Sequence, residues 1–197
     1  MRTGPSFTTT ARRAQIVEAA VRVIAREGLS KASFGRIAAE AGLSSAGMIS
    51  YHFADKDELL TVLSDAALGD CVAAVEGAVA QADGPAEGLN AYLTAFVRWQ
   101  DTHRDEVDAL WRLSAGWKRP GEPAAFDEGL LRDPLLGVLR AGRESGVFRP
   151  VPVEWTAHTI LCAVEGYQQA MHDDPDLDAD AYAAMLADLF GRGLTSV

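Results

Sequence analysis

The run from Ser33 to Lys56 constrains this chain more than any other stretch, because Ala38 and Gly42 stand four apart between two short apolar helical patterns. Ser33 can N-cap a helix with Phe34, Ile37, Ala38 and Ala41 on its apolar face, and Gly42 supplies the positive φ that ends it. Leu43 plugs the turn, and Ser44 or Ser45 can cap a second helix. Met48 and Ile49 of that helix face the first, which leaves Ser50, Tyr51 and His52 outside. Two helices that cross closely through a small residue, with a glycine making the turn between them, form a helix-turn-helix.

The rest of the chain reads as helices. Thr8 to Thr10 can cap a helix carrying Ile16, Ala19, Ala20, Val23 and Ile24 on one stripe, closed by Gly28 with Leu29 behind it. After Phe53, Asp55 and Glu58 form a start of the capping-box kind for a long helix reaching about residue 82, roughly 40 Å. Its stripe holds Leu59, Leu60, Leu63, Cys71, Val72, Val75 and Val79. Residues 82–88, Ala-Asp-Gly-Pro-Ala-Glu-Gly, mark the clearest break. Helical spacings follow from Leu89 to Trp99 and from Val107 to Leu113, with a break between Gly116 and Pro123. Asp133-Pro134 reads as an N-cap and first-turn pair opening a helix that ends near Gly146. Two last helices, about 153–172 and 179–190, flank an acidic link. No useful β alternation appears, so the expected class is all-α with about nine helices.

In the first 60 residues the chain resembles the TetR family of transcriptional regulators. The residues that carry the resemblance are Ile37-Ala38, Ala41-Gly42-Leu43-Ser44, Tyr51-His52-Phe53 and Lys56-Asp57-Glu58-Leu59. Between Ile37 and Phe53 the chain holds one residue more than the commonest family spacing, with Ser44-Ser45 where one serine is usual. That leaves the register of the second helix open by one position. The resemblance implies a three-helix DNA-binding head over residues 1–56, joined by the long helix to a ligand-binding and dimerisation body over 57–197. It matches Tyr51, His52 and Lys56 to phosphate-contacting positions and Ser45, Ala46 and Gly47 to the groove-facing start of the recognition helix. Helix ends and their polar caps also suit phosphate, which adds Ser33, Ser44 and Ser50. Arg36 could reach a base edge or a phosphate.

Charge agrees with that division. The net charge of −10 argues against nucleic acid as a partner, yet residues 1–58 carry eight Lys/Arg against six acids and the remainder ten against twenty-two. An acidic body would repel DNA everywhere except at the head. Acidic residues also simply solubilise a helical protein. With 48% hydrophobic residues in 197, the chain can bury a sizeable core. The two cysteines, Cys71 and Cys162, lie in apolar helical patterns and read as small buried hydrophobes in a reducing cytoplasm. Neither a leader-like apolar region nor a run of about 20 apolar residues is present, so a membrane is not an expected partner.

Enzyme chemistry finds no constellation. The histidines, at 52, 103, 158 and 172, lack metal-ligand spacing, and no phosphate loop or nucleophile elbow occurs. The acidic run Asp174-x-Asp176-x-Asp178-x-Asp180 fails as a calcium loop, since Ala179 stands at the glycine position and Met185 at the twelfth. No cofactor is expected. The body is rich in rings, Tyr92, Phe96, Trp99, Trp111, Trp117, Phe126 and Phe148, a pattern that by itself suits plain core. The resemblance implies an inducer cavity, for which the candidates are Phe96, Trp99, Gln100, His103, Trp111, Arg112, Trp117 and Gln168, and an apolar or aromatic small molecule. Trp155, Cys162 and Gly166, with Tyr182, Met185, Leu186, Leu189 and Phe190, define stripes on the last two helices for a homodimer. The expectation is a cytoplasmic, dimeric repressor released from a palindromic operator by ligand. A ligand-independent DNA-binding protein of the same fold and, far behind it, a helical enzyme are the alternatives.

Overall fold

The computed structural model describes residues 7–122, 124 and 129–195, so Phe126 and Pro123 lie outside it. The described residues form nine α-helices and no strand: α1 Phe7–Glu27, α2 Phe34–Glu40, α3 Gly47–Ser50, α4 Lys56–Val79, α5 Pro85–Thr102, α6 Arg104–Gly116, α7 Gly129–Glu144, α8 Val153–Asp173 and α9 Ala179–Leu194. A 3-10 turn, Leu29–Lys31, links α1 to α2, and Phe148 and Thr195 form an isolated bridge. The chain divides into two compact units, Met1–Ala67 with Asp105–Phe126, and Leu68–Arg104 with Asp127–Val197. The division falls inside α4 and again at the start of α6, whereas the sequence suggested one boundary near residue 56.

In the first unit α1 supplies Ile16, Ala19, Ala20, Val23 and Ile24, all but completely buried, to a core shared with Ile37, Ala38, Ile49, Phe53 and the α4 residues Leu59, Leu60 and Leu63. Ala109 and Leu113 of α6 are fully buried in the same cluster, and Trp117 packs against it. Gly28 and Gly42 take positive φ, 90° and 67°, where the expected stops occur. Asp55 Oδ1 accepts from the Glu58 N–H at 2.8 Å, and Glu58 Oε2 accepts from the Ala54 N–H at 2.7 Å. Together these two bonds fasten the start of α4.

In the second unit α5 packs on α7, α8 and α9, and α8 on α7 and α9. Leu89, Tyr92, Leu93, Phe96 and Val97 of α5 are buried. Gly142 has no room for a side chain, because a Cβ there would stand 2.0 Å from Phe148 Cδ2. Asp178 Oδ1 accepts from the N–H groups of Asp180 and Ala181 and caps α9.

Several boundaries differ from the sequence reading. Helix α1 already begins at Phe7, so Thr8 to Thr10 lie inside its first turn. Helix α4 ends at Val79, giving 24 residues and about 36 Å. Pro134 sits inside α7, which starts a turn earlier at Gly129, so Asp133-Pro134 does not open it. At the sixth position of α7, Pro134 has no N–H to give to the Leu130 carbonyl four residues before it. Cys71 is buried, and burial pushes its thiol up to about 12, whereas Cys162 is exposed. On the face expected to pair, Leu186 is buried within the chain, and Tyr182, half-buried, donates its hydroxyl to the Ala163 carbonyl. Trp155, Met185 and Leu189 remain exposed at 76%, 47% and 60%.

Candidate nucleic-acid interface

The candidate surface starts from Ser33, whose side chain accepts the Arg36 N–H and caps α2. The chain then turns through Gly42 N to Ala39 O and Leu43 N to Ala38 O, the bond pattern that closes a helix on a glycine. Residues 43–46 form the turn that follows. Neither serine caps α3: Ala46 holds the N-cap position without a side-chain bond, and Ser44 Oγ donates to Met48 Sδ at 3.3 Å. Ile49 and Phe53 are buried, and α3 spans Gly47–Ser50. Burial decides the register, because slipping the helix by one position would expose both residues.

Ser44, Ser45, Gly47 and Ser50 are exposed along this segment, and Tyr51 is the most exposed large ring among the described residues at 84%. Its ring meets His52 edge to face at 5.0 Å. Arg13 anchors the far side: its guanidinium lies 4.1 Å over the Phe53 ring, donates to the His52 carbonyl and pairs with Glu58 at 3.0 Å. The bond from Ala54 N–H, then the pairing with Arg13, holds the Glu58 carboxyl below the usual range.

The cations divide into occupied and available ones. Arg36 Nε donates to Glu27 Oε1 at 2.7 Å, its Nη2 stands 2.5 Å from the same oxygen and 3.6 Å from Glu40, and Glu40 also receives Arg22 at 3.0 Å. Bonding to Glu27 holds the Arg36 proton still more tightly than usual and pulls Glu27 below the carboxylate range. Lys56 Nζ donates to the Leu29 carbonyl at 2.9 Å, and partial burial lowers its pKa. Lys31, exposed in the 3-10 turn just before the Ser33 cap, is a candidate the sequence reading missed. Its signal was position: a cation two residues ahead of a helix cap stands where a phosphate is drawn.

The expected ligand set splits between the two units. Trp111, Arg112 and Trp117 belong to the first: Trp111 is 59% exposed, Arg112 Nη1 lies beside Gly28, and Trp117 Nε1 donates to Asp57. Phe96, Trp99, Gln100, His103 and Gln168 belong to the second. There Trp99 Nε1 donates to Asp70 Oδ2 at 2.8 Å, His103 stacks on the Trp99 ring at 4.8 Å, and its Nε2 stands 3.5 Å from the same carboxylate. Gln100, almost wholly buried, donates to the Val164 carbonyl, Gln168 is buried on the same helix as that carbonyl, and Phe96 meets Tyr92 edge to face. Beside them Tyr167 donates its hydroxyl to Asp101 Oδ1 at 2.9 Å, and burial, then that bond, pushes its pKa up to about 12. Among the described residues no group of three metal-ligating side chains occurs, and no helix is long and apolar enough to cross a membrane.

Residues 16–63 match the family model of the bacterial regulatory proteins of the tetR family. Among curated proteins none matches the chain in sequence. Solved structures do. The TetR family transcriptional regulator PfmR from Thermus thermophilus is 25% identical over 94% of this chain and 98% of its own, with a TM-score of 0.81. The ketosteroid transcriptional regulator KstR2 of Mycobacterium tuberculosis is 23% identical, covering 94% and 96%, at a TM-score of 0.74. The fatty acid degradation regulator FadR from Bacillus halodurans is 20% identical, covering 96% of each chain, also at 0.74. The last two likenesses carry the fold alone.

Proposed function

The chain belongs to the TetR family of transcriptional regulators, a helix-turn-helix DNA-binding protein, and from that premise we propose that it is a repressor released from a palindromic operator by a small apolar molecule. The observation that carries the DNA half is the set of exposed residues Ser44, Ser45, Gly47, Ser50 and Tyr51, held over the core by the buried Ile49 and Phe53. In this reading Ser33, Tyr51, His52, Lys31 and Lys56 contact phosphates and fix the register, while Ser45, Ala46 and Gly47 face the base edges. Arg36 contacts DNA only after leaving its two carboxylates.

Two copies associate through α8 and α9, with Trp155, Met185 and Leu189 at the seam. The ligand enters the second unit near Phe96, Trp99, Gln100, His103 and Gln168, where rings and a few buried amides lie together. Ligand binding acts as a population shift, favouring a spacing of the two heads that no longer matches successive major grooves. The test is selection of duplexes from a random library by the purified protein, followed by a screen of apolar compounds. Release of the selected duplex by a compound that also raises the melting temperature is the expected result. Compounds that bind without changing DNA affinity would leave a ligand-independent DNA-binding protein.

A further inference from the structure

Resting on the reading that the head binds duplex DNA, we propose that it recognises its operator through thymine methyl groups and duplex shape, and not through hydrogen bonds to guanine. The chain contains no Arg, Lys, Asn, Gln, Asp or Glu between Glu40 and Asp55. Bidentate reading of guanine takes Arg or Lys on O6 and N7, and bidentate reading of adenine takes Asn or Gln on N6 and N7. The turn and the recognition helix therefore hold no side chain able to make either contact.

What they do present is methyl, methylene and hydroxyl. Two of the three serine hydroxyls donate within the segment itself, Ser44 Oγ to Met48 Sδ at 3.3 Å and Ser50 Oγ to the Ala46 carbonyl at 3.4 Å. The Ser45 hydroxyl, the Ala46 methyl, the bare Gly47 backbone and the Tyr51 ring remain. Against the major-groove edge such a surface complements one base group above all, the C5 methyl of thymine. Tyr51 and His52 add single donors at the far end of α3.

The arginine of the neighbouring helix is held back. Arg36 would have to leave Glu27, at 2.5 Å, and Glu40, at 3.6 Å, and would leave Glu27 without its arginine beside the phosphates, while Glu40 keeps Arg22 at 3.0 Å. Gly47 lets the backbone approach the duplex closely, so contact there depends on groove width more than on base identity. Sequence then enters as the energy of shaping the groove, which favours flexible and A·T-rich steps.

The experiment uses the full chain and its own selected duplex, resynthesised with single thymines replaced by deoxyuridine, which lacks the methyl, or single guanines replaced by 7-deazaguanine, which lacks N7. The expected result is that at least one deoxyuridine per half-site weakens binding by about fivefold or more, the order of one lost base contact, while every 7-deazaguanine stays within about twofold. A 7-deazaguanine position that costs fivefold, or indifference to every deoxyuridine, overturns the inference and leaves DNA binding standing. A library from which no duplex is enriched removes the premise itself.

Discussion

Trp117 Nε1 donates to Asp57 Oδ1 at 2.9 Å, fastening the chain just beyond α6 to the first turn of α4 across 60 positions of sequence. Arg119 continues the attachment, reaching Ser64 Oγ at 3.0 Å and Asp65 at 2.5 Å. Leu113 should then matter to a head that lies far from it in sequence. It is fully buried among α1, α2 and α4 residues, so Leu113→Ala should cost about 2–5 kcal/mol of head stability and lower duplex affinity with it. Chemical denaturation followed by Trp117 fluorescence measures the first effect, and duplex titration the second.

Acid should loosen the start of α4. The Glu58 carboxyl titrates below its ordinary value of about 4.3 because the Ala54 N–H and then Arg13 favour its charged form. A group whose folded pKa is depressed contributes stability above its unfolded pKa, and that contribution fades as pH falls through the folded value. Stability measured from pH 7 down to pH 3 should therefore decline in its lower part, and Glu58→Gln should flatten that part of the curve while lowering the plateau at pH 7. A parallel decline in wild type and variant would refute the assignment.

Freeing Arg36 should strengthen binding to duplexes of any sequence. Glu27→Gln removes the nearer of the two carboxylates on its guanidinium. One further phosphate neutralised steepens the dependence of log affinity on log salt by about 0.9. The variant should bind random duplex more tightly at low salt and gain most of that slope. Unchanged slopes would place Arg36 away from the duplex.

Gly142→Ala should destabilise the second unit out of proportion to one methyl group. The added carbon would stand 2.0 Å from the Phe148 ring, which is buried, so ring or backbone must shift, at about 1–3 kcal/mol. Phe148→Leu in the same chain should recover part of the loss, and thermal melts of the two variants provide the comparison.

Leu189→Glu tests the proposed seam. Leu189 is 60% exposed on α9, so a charge there harms the isolated chain little, yet across an apolar pairing it meets its own copy. Light scattering should show monomers for the variant and dimers for the wild type, with the helical signal unchanged.

Where sequence was informative, a single residue did a single geometric job. Gly28 and Gly42 ended helices because their backbones take positive φ, and Asp55 and Asp178 capped helices because a short carboxylate reaches the next free N–H groups. The Ser44-Ser45 turn was harder, since local chemistry favours a serine cap while the burial of Ile49 and Phe53 decides where α3 begins. Helical spacing carries no information on which unit a helix joins, and Trp111, Arg112 and Trp117 went to the first, with Trp111 59% exposed. Arg36 looked available because its partners Glu27 and Glu40 lie nine residues before it and four after it, the latter alone at helical spacing. Tyr182 and Leu186 share a stripe with Met185 and Leu189, but a stripe wider than one contact cannot say which edge turns inward.

The composition of the first unit from Met1–Ala67 and Asp105–Phe126 has a consequence during synthesis. When Leu63 leaves the ribosome, the places for Ala109 and Leu113 in its core are still empty. At ~5–20 residues per second, the roughly 50 residues still to come take several seconds. Throughout that interval the newborn helix-turn-helix shows apolar surface to whatever is near it. A fragment cut after α4, or a chimaera that grafts only the first 67 residues onto another body, would be left permanently in that unfinished state.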